Sequence, residues 1–369
     1  MDFLMASEPT GLWAWLINSI ENGGLSYGLT LILVTLIIKF VLLPADIFNK
    51  YSTKKNMVIQ AKLKPELVAL KKRYANNPQI LNQKTTQLYK RENYSMGGTC
   101  ASMLVYMVLT MVIFFTLLST LNGMSAYKIQ KEYDTLYNTY TTYITENNID
   151  TTNEEDLKQA QIAVSKKYNE IKEDFLWIKN LWRPDTSTSV TLKYKDFTSV
   201  AKISDKQKYG TEYTKLTDEE KAIVNAMSDE EKAEYNKYTE STYNIVMNEL
   251  LTNSKYTKWN GYFILSILAA LLNFASMQIN TIISKIKNKK KNIPATVSTN
   301  KTMSIIMPLI MGVFTLLYTA AFGLYIVAGA LFSFVTTPLV TFIVDKIYEK
   351  RSSKFDAKNK VSYDRTLKR

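Results

Sequence analysis

Apolar runs and charged stretches alternate along this chain, and the alternation predicts its elements. The first long run, residues 29–44, reads LTLILVTLIIKFVLLP, and its one charge is Lys39. Read from about residue 25 to 45 it is long enough to cross a bilayer. Further spans are predicted at 100–122, 258–283, 302–322 and 323–345. The last two are separated by only a few residues, so they form a tight transmembrane hairpin.

Between the runs lie helical segments of a different kind. In residues 11–21, GLWAWLINSIE, the residues Leu12, Trp13, Leu16, Ile17 and Ile20 share one face. This predicts a short interfacial helix within 1–24, ended by Asn22-Gly23-Gly24. Residues 46–99 carry an apolar stripe (Met57, Ile59, Leu63, Leu67, Leu70), a turn at Asn76-Asn77-Pro78, and a second short stripe. They read as an antiparallel helical hairpin. Residues 123–257 are rich in Tyr and Thr, with helices expected at 128–145 and 154–178. Two capping boxes follow there at eleven-residue spacing, Thr217-Asp218-Glu219-Glu220 and Ser228-Asp229-Glu230-Glu231. An aromatic exception, Trp177 to Trp182, is expected to rest at the membrane surface.

Charge gives these elements sides. Residues 46–99 carry 11 basic against 3 acidic side chains, 284–301 carry 6 against 0, and 345–369 carry 9 against 4. Residues 123–257 carry 18 against 23, and 1–24 carry 0 against 3. The positive-inside rule then puts the N-terminus outside and the C-terminus inside. The expected architecture is an all-α polytopic membrane protein with five transmembrane helices and a cytosolic helical hairpin. It adds a large, mainly helical extracellular insertion, a basic cytosolic loop at 284–301, and a basic, partly disordered tail at 346–369. Residues 11–21 lack the basic n-region and small-residue cleavage site of a signal peptide.

Composition narrows the chemistry. The chain of 369 residues has no histidine and one cysteine, Cys100. That removes the commonest general base, an internal disulfide and a thiolate metal cluster. No Walker A loop, GxGxxG, HExxH or nucleophile–base pairing occurs, so an enzyme, a cofactor or a metal site is not expected. No carboxylate lies inside a span, which argues against a proton- or sodium-coupled pump.

The ordered motifs resemble the YidC/Oxa1/Alb3 family of membrane protein insertases. The resemblance rests on GLTLILVTLIIKFVLLP at 28–44 and on Lys64-Pro65-Glu66-Leu67. It continues through Tyr74-Ala75-Asn76-Asn77-Pro78-Gln79, Leu81-Asn82-Gln83, Leu88-Tyr89-Lys90 and Gly97-Gly98. FLWIKNLWRPD at 175–185, MPLIMGVF at 307–314 and GLYIVAGALFS at 323–333 complete the set. Lys39 stands where the family usually has Arg, Tyr106 and Val108 where it has Gln and Pro, and Gly329, Ala330, Thr336 and Thr337 where it has amides. The resemblance implies insertion and chaperoning of nascent membrane proteins through a hydrophilic, positively charged intramembrane groove, without nucleotide hydrolysis. The groove residues it implies are Lys39, Tyr106, Asn273, Gln278, Thr336 and Thr337. The hairpin residues are Lys64, Pro65, Tyr74, Pro78, Leu81 and Tyr89. Ribosome or anionic-lipid contacts would fall on Lys287, Lys289, Lys290, Lys291, Arg351 and Arg369. The implied partners are nascent membrane proteins, the ribosome, the Sec translocon, signal-recognition components and anionic lipids, at the bacterial cell membrane. The competing expectation is a membrane-anchored surface protein acting through residues 123–257; deleting most of that segment would spare an insertase and disable an adhesin.

Overall fold

The computed structural model describes residues 8–91, 94, 96–291 and 301–367. Among the described residues the regular elements are all helices, with two isolated β-bridges and no sheet. In chain order the helices are α1 (Leu12–Glu21), α2 (Tyr27–Arg73), α3 (Pro78–Arg91), α4 (Met96–Asn147) and α5 (Glu154–Ile171). Six short helices follow: α6 (Tyr194–Val200), α7 (Asp205–Tyr209), α8 (Asp218–Ala226), α9 (Asp229–Asn236), α10 (Glu240–Val246) and α11 (Asn248–Thr252). The last are α12 (Ile264–Lys291), α13 (Lys301–Leu317) and α14 (Ala320–Leu367).

Three helices contain a stretch long and apolar enough to cross a membrane: Tyr27–Arg73, Ala101–Asn147 and Ala320–Ser352. The expected third and fourth spans fall on shorter apolar helices, Ile264–Ile279 and Ser304–Leu317. Several ends differ from expectation. Helix α2 continues through Pro44 and Pro65 to Arg73, about 70 Å at 1.5 Å per residue. Proline removes one backbone donor each time, yet the surrounding turns hold the helix. Helix α4 likewise runs 52 residues without a break at the expected membrane exit. The tail, expected to be partly irregular, continues α14 as helix to Leu367. Helix α5 stops at Ile171, short of the expected 178.

The chain divides into two compact units. One comprises Met1–Val34, Thr116–Leu268 and Gly312–Ile326. Its spine is the second half of α4, where Leu117, Leu121, Met124, Ile129, Tyr133, Leu136 and Tyr140 are buried at helical spacing. Against Tyr133 pack the rings of Phe197, Tyr243 and Tyr238, at 5.0, 5.1 and 5.7 Å between centroids. Each tyrosine keeps its hydroxyl bonded: Tyr133 donates to the Lys237 carbonyl (2.7 Å), Tyr238 to Asp134 (2.6 Å) and Tyr243 to the Leu192 carbonyl (2.8 Å). That pairing lets a polar-looking segment form a core. Both capping boxes form as expected, Thr217 with Glu220 and Ser228 with Glu231.

The other unit comprises Thr35–Phe115, Ala269–Met311 and Val327–Arg369. In it α3 folds back beside the end of α2, and Arg91 forks onto both oxygens of Glu66 at 2.9 Å. Beyond their apolar stretches α2 and α14 are tied by the Lys54–Asp345 pair, by Arg351 over the Tyr51 ring (5.1 Å), and by Tyr51 against Tyr348 (6.5 Å).

Candidate functional site

Lys39 sits in the apolar part of α2, in the second unit. Its side chain lies across Gly329 of α14. A Cβ built on that glycine would stand 3.0 Å from Lys39 Cε, 3.6 Å from Nζ and 3.6 Å from Thr35 Cγ2. Gly329 therefore provides the space in which the lysine stem rests, and a larger residue would displace it. Among the described residues no carboxylate comes within 4.0 Å of this ammonium. Asp46 lies nearly two turns further along α2. Asp46 itself pairs with Lys50 at 2.8 Å.

Hydroxyl residues lie on neighbouring turns of α2, α12 and α14. Thr35, one turn before it, is 1% exposed. Ser333 bonds back to the Gly329 carbonyl (2.9 Å), and Ser276 of α12 reaches the Ala330 carbonyl at 3.4 Å. Thr336 donates to the Phe332 carbonyl at 2.8 Å, and Thr337, buried, accepts at its carbonyl from Thr341. Asn273 turns to its own helix, donating to the Ala269 carbonyl at 2.7 Å. Gln278 is half-buried on α12. Thus the structure brings Lys39, Thr35 and Gly329 together, while Tyr106 is half-buried on α4. Asn273 is spent within its helix. Sequence reasoning missed Thr35, Ser276 and Ser333; the one-turn spacings of Thr35 to Lys39 and of Ser333 to Gly329 were the available signal.

The hairpin residues fall on α2 and α3. Lys64 and Pro65 are exposed within α2, Tyr74 lies in the turn, and Pro78 is the first residue of α3. Leu81 is half-buried, and the Tyr89 ring meets Tyr94 at 4.5 Å. Between the two helices opens a groove of about 760 Å³ lined by Leu70 and Leu88 together with Glu66, Lys72, Arg73, Lys84 and Arg91. Of the expected ribosome or lipid contacts, Arg351 stacks on Tyr51. Lys287, Lys289, Lys290 and Lys291 belong to the last turns of α12, their side chains outside the described ones, and Arg369 lies outside the described residues.

A second constellation belongs to the first unit and is built by residues 175–185. The N-termini of α12 and α14 present unsatisfied backbone N–H groups. Asp185, fully buried, accepts from the N–H of Tyr262 (2.8 Å) and of Leu265 (2.6 Å). The carbonyls of Arg183 and Leu181 accept from Ala320 (2.8 Å) and Ala321 (3.0 Å) at the start of α14. Asn260, also fully buried, locks the element: its amide donates to the carbonyls of Asn180 and Pro184, both at 2.9 Å, and its oxygen accepts from the Asn180 N–H. Phe175 fills the space over Gly28, where a Cβ would stand 2.4 Å from the ring. The ring of Tyr27 packs 4.7 Å from Trp182. One short aromatic element thus fixes the starts of α2, α12 and α14.

The family described as 60Kd inner membrane protein matches residues 18–347, which take in both constellations. The chain belongs to that family. Among its relatives, a protein named Membrane protein insertase YidC from Fusobacterium nucleatum subsp. nucleatum is 35% identical over 106 residues, 29% of this chain and 50% of the relative. Proteins of the same name from Clostridium tetani and Clostridium perfringens are 38% identical over 96 residues and 35% over 104. These matches cover 26% and 28% of this chain and 42% of each relative. The chain therefore spans about half the length of these relatives or less. Membership in the 60Kd inner membrane protein family, together with several apolar helices, makes this a multi-pass protein of a bacterial membrane.

Proposed function

We propose that this member of the 60Kd inner membrane protein family inserts nascent membrane proteins into the bilayer and helps them fold; its relatives are named membrane protein insertases. The observation that carries this is Lys39, an ammonium in an apolar stretch, seated over Gly329 with no carboxylate within salt-bridge distance among the described residues. A cation costs roughly 2.5–3.5 kcal/mol at the middle of a span on insertion scales, so a retained one calls for a use. In a low-dielectric groove its attraction for an acidic or polar tail is several times stronger than in water. The tail enters beside Lys39, and the apolar segment behind it passes into lipid. Burial of about 20 apolar residues supplies the driving force, and no nucleotide is needed.

In this reading the chain makes five spans, with α1 and residues 123–257 outside and the α2–α3 hairpin, the 284–301 loop and the tail inside. Thr35, Tyr106, Gln278, Ser333, Thr336 and Thr337 line the groove with Lys39. The hairpin groove and the basic loop and tail meet the ribosome, targeting factors, the Sec translocon or anionic lipid. The test is a substitution pair in vesicles or depleted cells, with substrate translocation read by protease protection. Lys39→Arg keeps insertion. Lys39→Glu stops substrates with acidic tails; their normal insertion by Lys39→Glu refutes the role of this charge.

A further inference from the structure

The turn at residues 175–178 exposes what a soluble domain would hide. Phe175 and Ile178 pair through both backbone bonds, at 2.9 and 3.0 Å, which drives Leu176 to φ 56°. That left-handed conformation suits glycine, and a branched side chain rarely adopts it. Leu176 is nonetheless there and 74% exposed. Trp259 belongs to the same corner. The backbone N–H of Lys179 bonds the Asn260 carbonyl (3.2 Å), so the two segments run side by side, and the Trp259 side chain is 54% exposed. Tyr262, at the entry to α12, is 53% exposed.

Positive charge frames these apolar groups. The Lys179 ammonium donates to the Trp259 carbonyl at 2.9 Å. Lys258 precedes Trp259 and is exposed. Burial, and then the charges of Lys258 and Lys172, lower the Lys179 ammonium below its usual pKa. Lys172 is paired with Asp174 at 2.8 Å, whereas among the described residues no carboxylate lies within salt-bridge distance of Lys179 or Lys258. Apolar tips beside cations match a lipid interface rather than open water.

We propose that this corner binds an anionic phospholipid of the outer leaflet. Leu176 and Trp259 enter the acyl-chain boundary, and Lys179 and Lys258 take the headgroup phosphate. The site rests on the topology proposed above, which places residues 123–257 outside. It would seat the 175–185 element, and with it the starts of α2, α12 and α14, on the membrane surface.

The test uses the full chain with Cys100→Ser and Leu176→Cys. A membrane-impermeant maleimide applied to intact cells carrying Cys100→Ser and Glu230→Cys, an exposed position of the same segment, first checks the side: reaction only after lysis overturns the topology, not the lipid chemistry. A nitroxide on residue 176 then reports its depth in reconstituted vesicles through its accessibility to oxygen against a water-soluble nickel chelate. Adding phosphatidylglycerol to phosphatidylcholine is expected to raise the oxygen-to-nickel ratio about twofold or more, consistent with depth at the acyl boundary. Lys179→Gln with Lys258→Gln is expected to abolish that response, and the two Lys→Arg changes to preserve it. An unchanged ratio, a response that survives the double Gln variant, or the same response to inorganic phosphate in phosphatidylcholine alone would each overturn the lipid site.

Discussion

Replacing Asp185 by alanine removes the acceptor of two backbone N–H groups at the start of α12. The Leu265 bond is buried, and Asp185 itself is fully buried, so water does not replace the lost oxygens freely. A buried donor left without a partner costs about 1–3 kcal/mol, and loss of an N-cap about 0.5–2 kcal/mol. These overlap, so the expected destabilisation is about 3 kcal/mol. Asp185→Asn keeps one acceptor and loses the charge at the helix N-terminus, for about 1 kcal/mol. Gly261 offers an internal control. A Cβ there would stand 1.7 Å from Asp185 Oδ1, so Gly261→Ala must push the carboxylate off its donors. The two changes attack one interaction and are expected to be non-additive. The assay is equilibrium unfolding in mixed micelles, followed by tryptophan fluorescence: Trp182 lies within the element and Trp259 beside Asn260, which locks it. A loss below about 0.5 kcal/mol for Asp185→Ala, or simple additivity with Gly261→Ala, refutes the capping argument.

Other predictions concern separate parts of the molecule. Gly329→Val crowds the seat of Lys39, so translocation of acidic tails should fall several-fold at unchanged protein abundance; protease protection that matches the parent chain counts against the seat. Lys237 is 2% exposed and pairs with Asp134 at 2.9 Å, so Lys237→Met should cost roughly 3–5 kcal/mol, read by the same unfolding titration. Burial, and then Glu173, push the Glu132 carboxyl from 4.5 up to about 8. A raised carboxyl binds its proton more tightly when folded, so its stabilisation is full below about pH 4.5 and is lost as pH rises through about 8. Glu132→Gln should therefore flatten the fall in Tm across that window, and parallel Tm profiles for the two chains would contradict the assignment.

Much of the helical plan was legible because it depends on local pattern. The α1 helix, the turn before Pro78 and both capping boxes follow from local sequence signals; the α1 face does not, since Leu12 is exposed and Ala14 buried. The helix ends at Pro44 and near residue 122 were not, since the chain passes from apolar to polar surroundings without unwinding. The tyrosine core was hidden too. Tyr133, Tyr238 and Tyr243 count as half polar in any pattern, and only their partners, up to 104 residues away, make them core. The candidate site was legible in its charge alone. Lys39 announced itself by composition, whereas Gly329, 290 positions along, is recognisable as its seat only once α14 is placed beside α2. Asp185 was similarly silent, because its donors lie 77 and 80 residues further on.

The central claim is that polar tails of nascent proteins pass beside Lys39. Photo-crosslinking tests it most directly, with a ribosome-held membrane protein as substrate and the crosslinker placed in turn at Thr35, Tyr106 and Ser333, and at the exposed positions Leu339 and Phe342. The account predicts capture of the substrate's N-terminal tail from Thr35, Tyr106 and Ser333, lost in Lys39→Glu. Equal capture of the tail from Leu339 and Phe342, or capture around residue 39 that ignores Lys39→Glu, would contradict it.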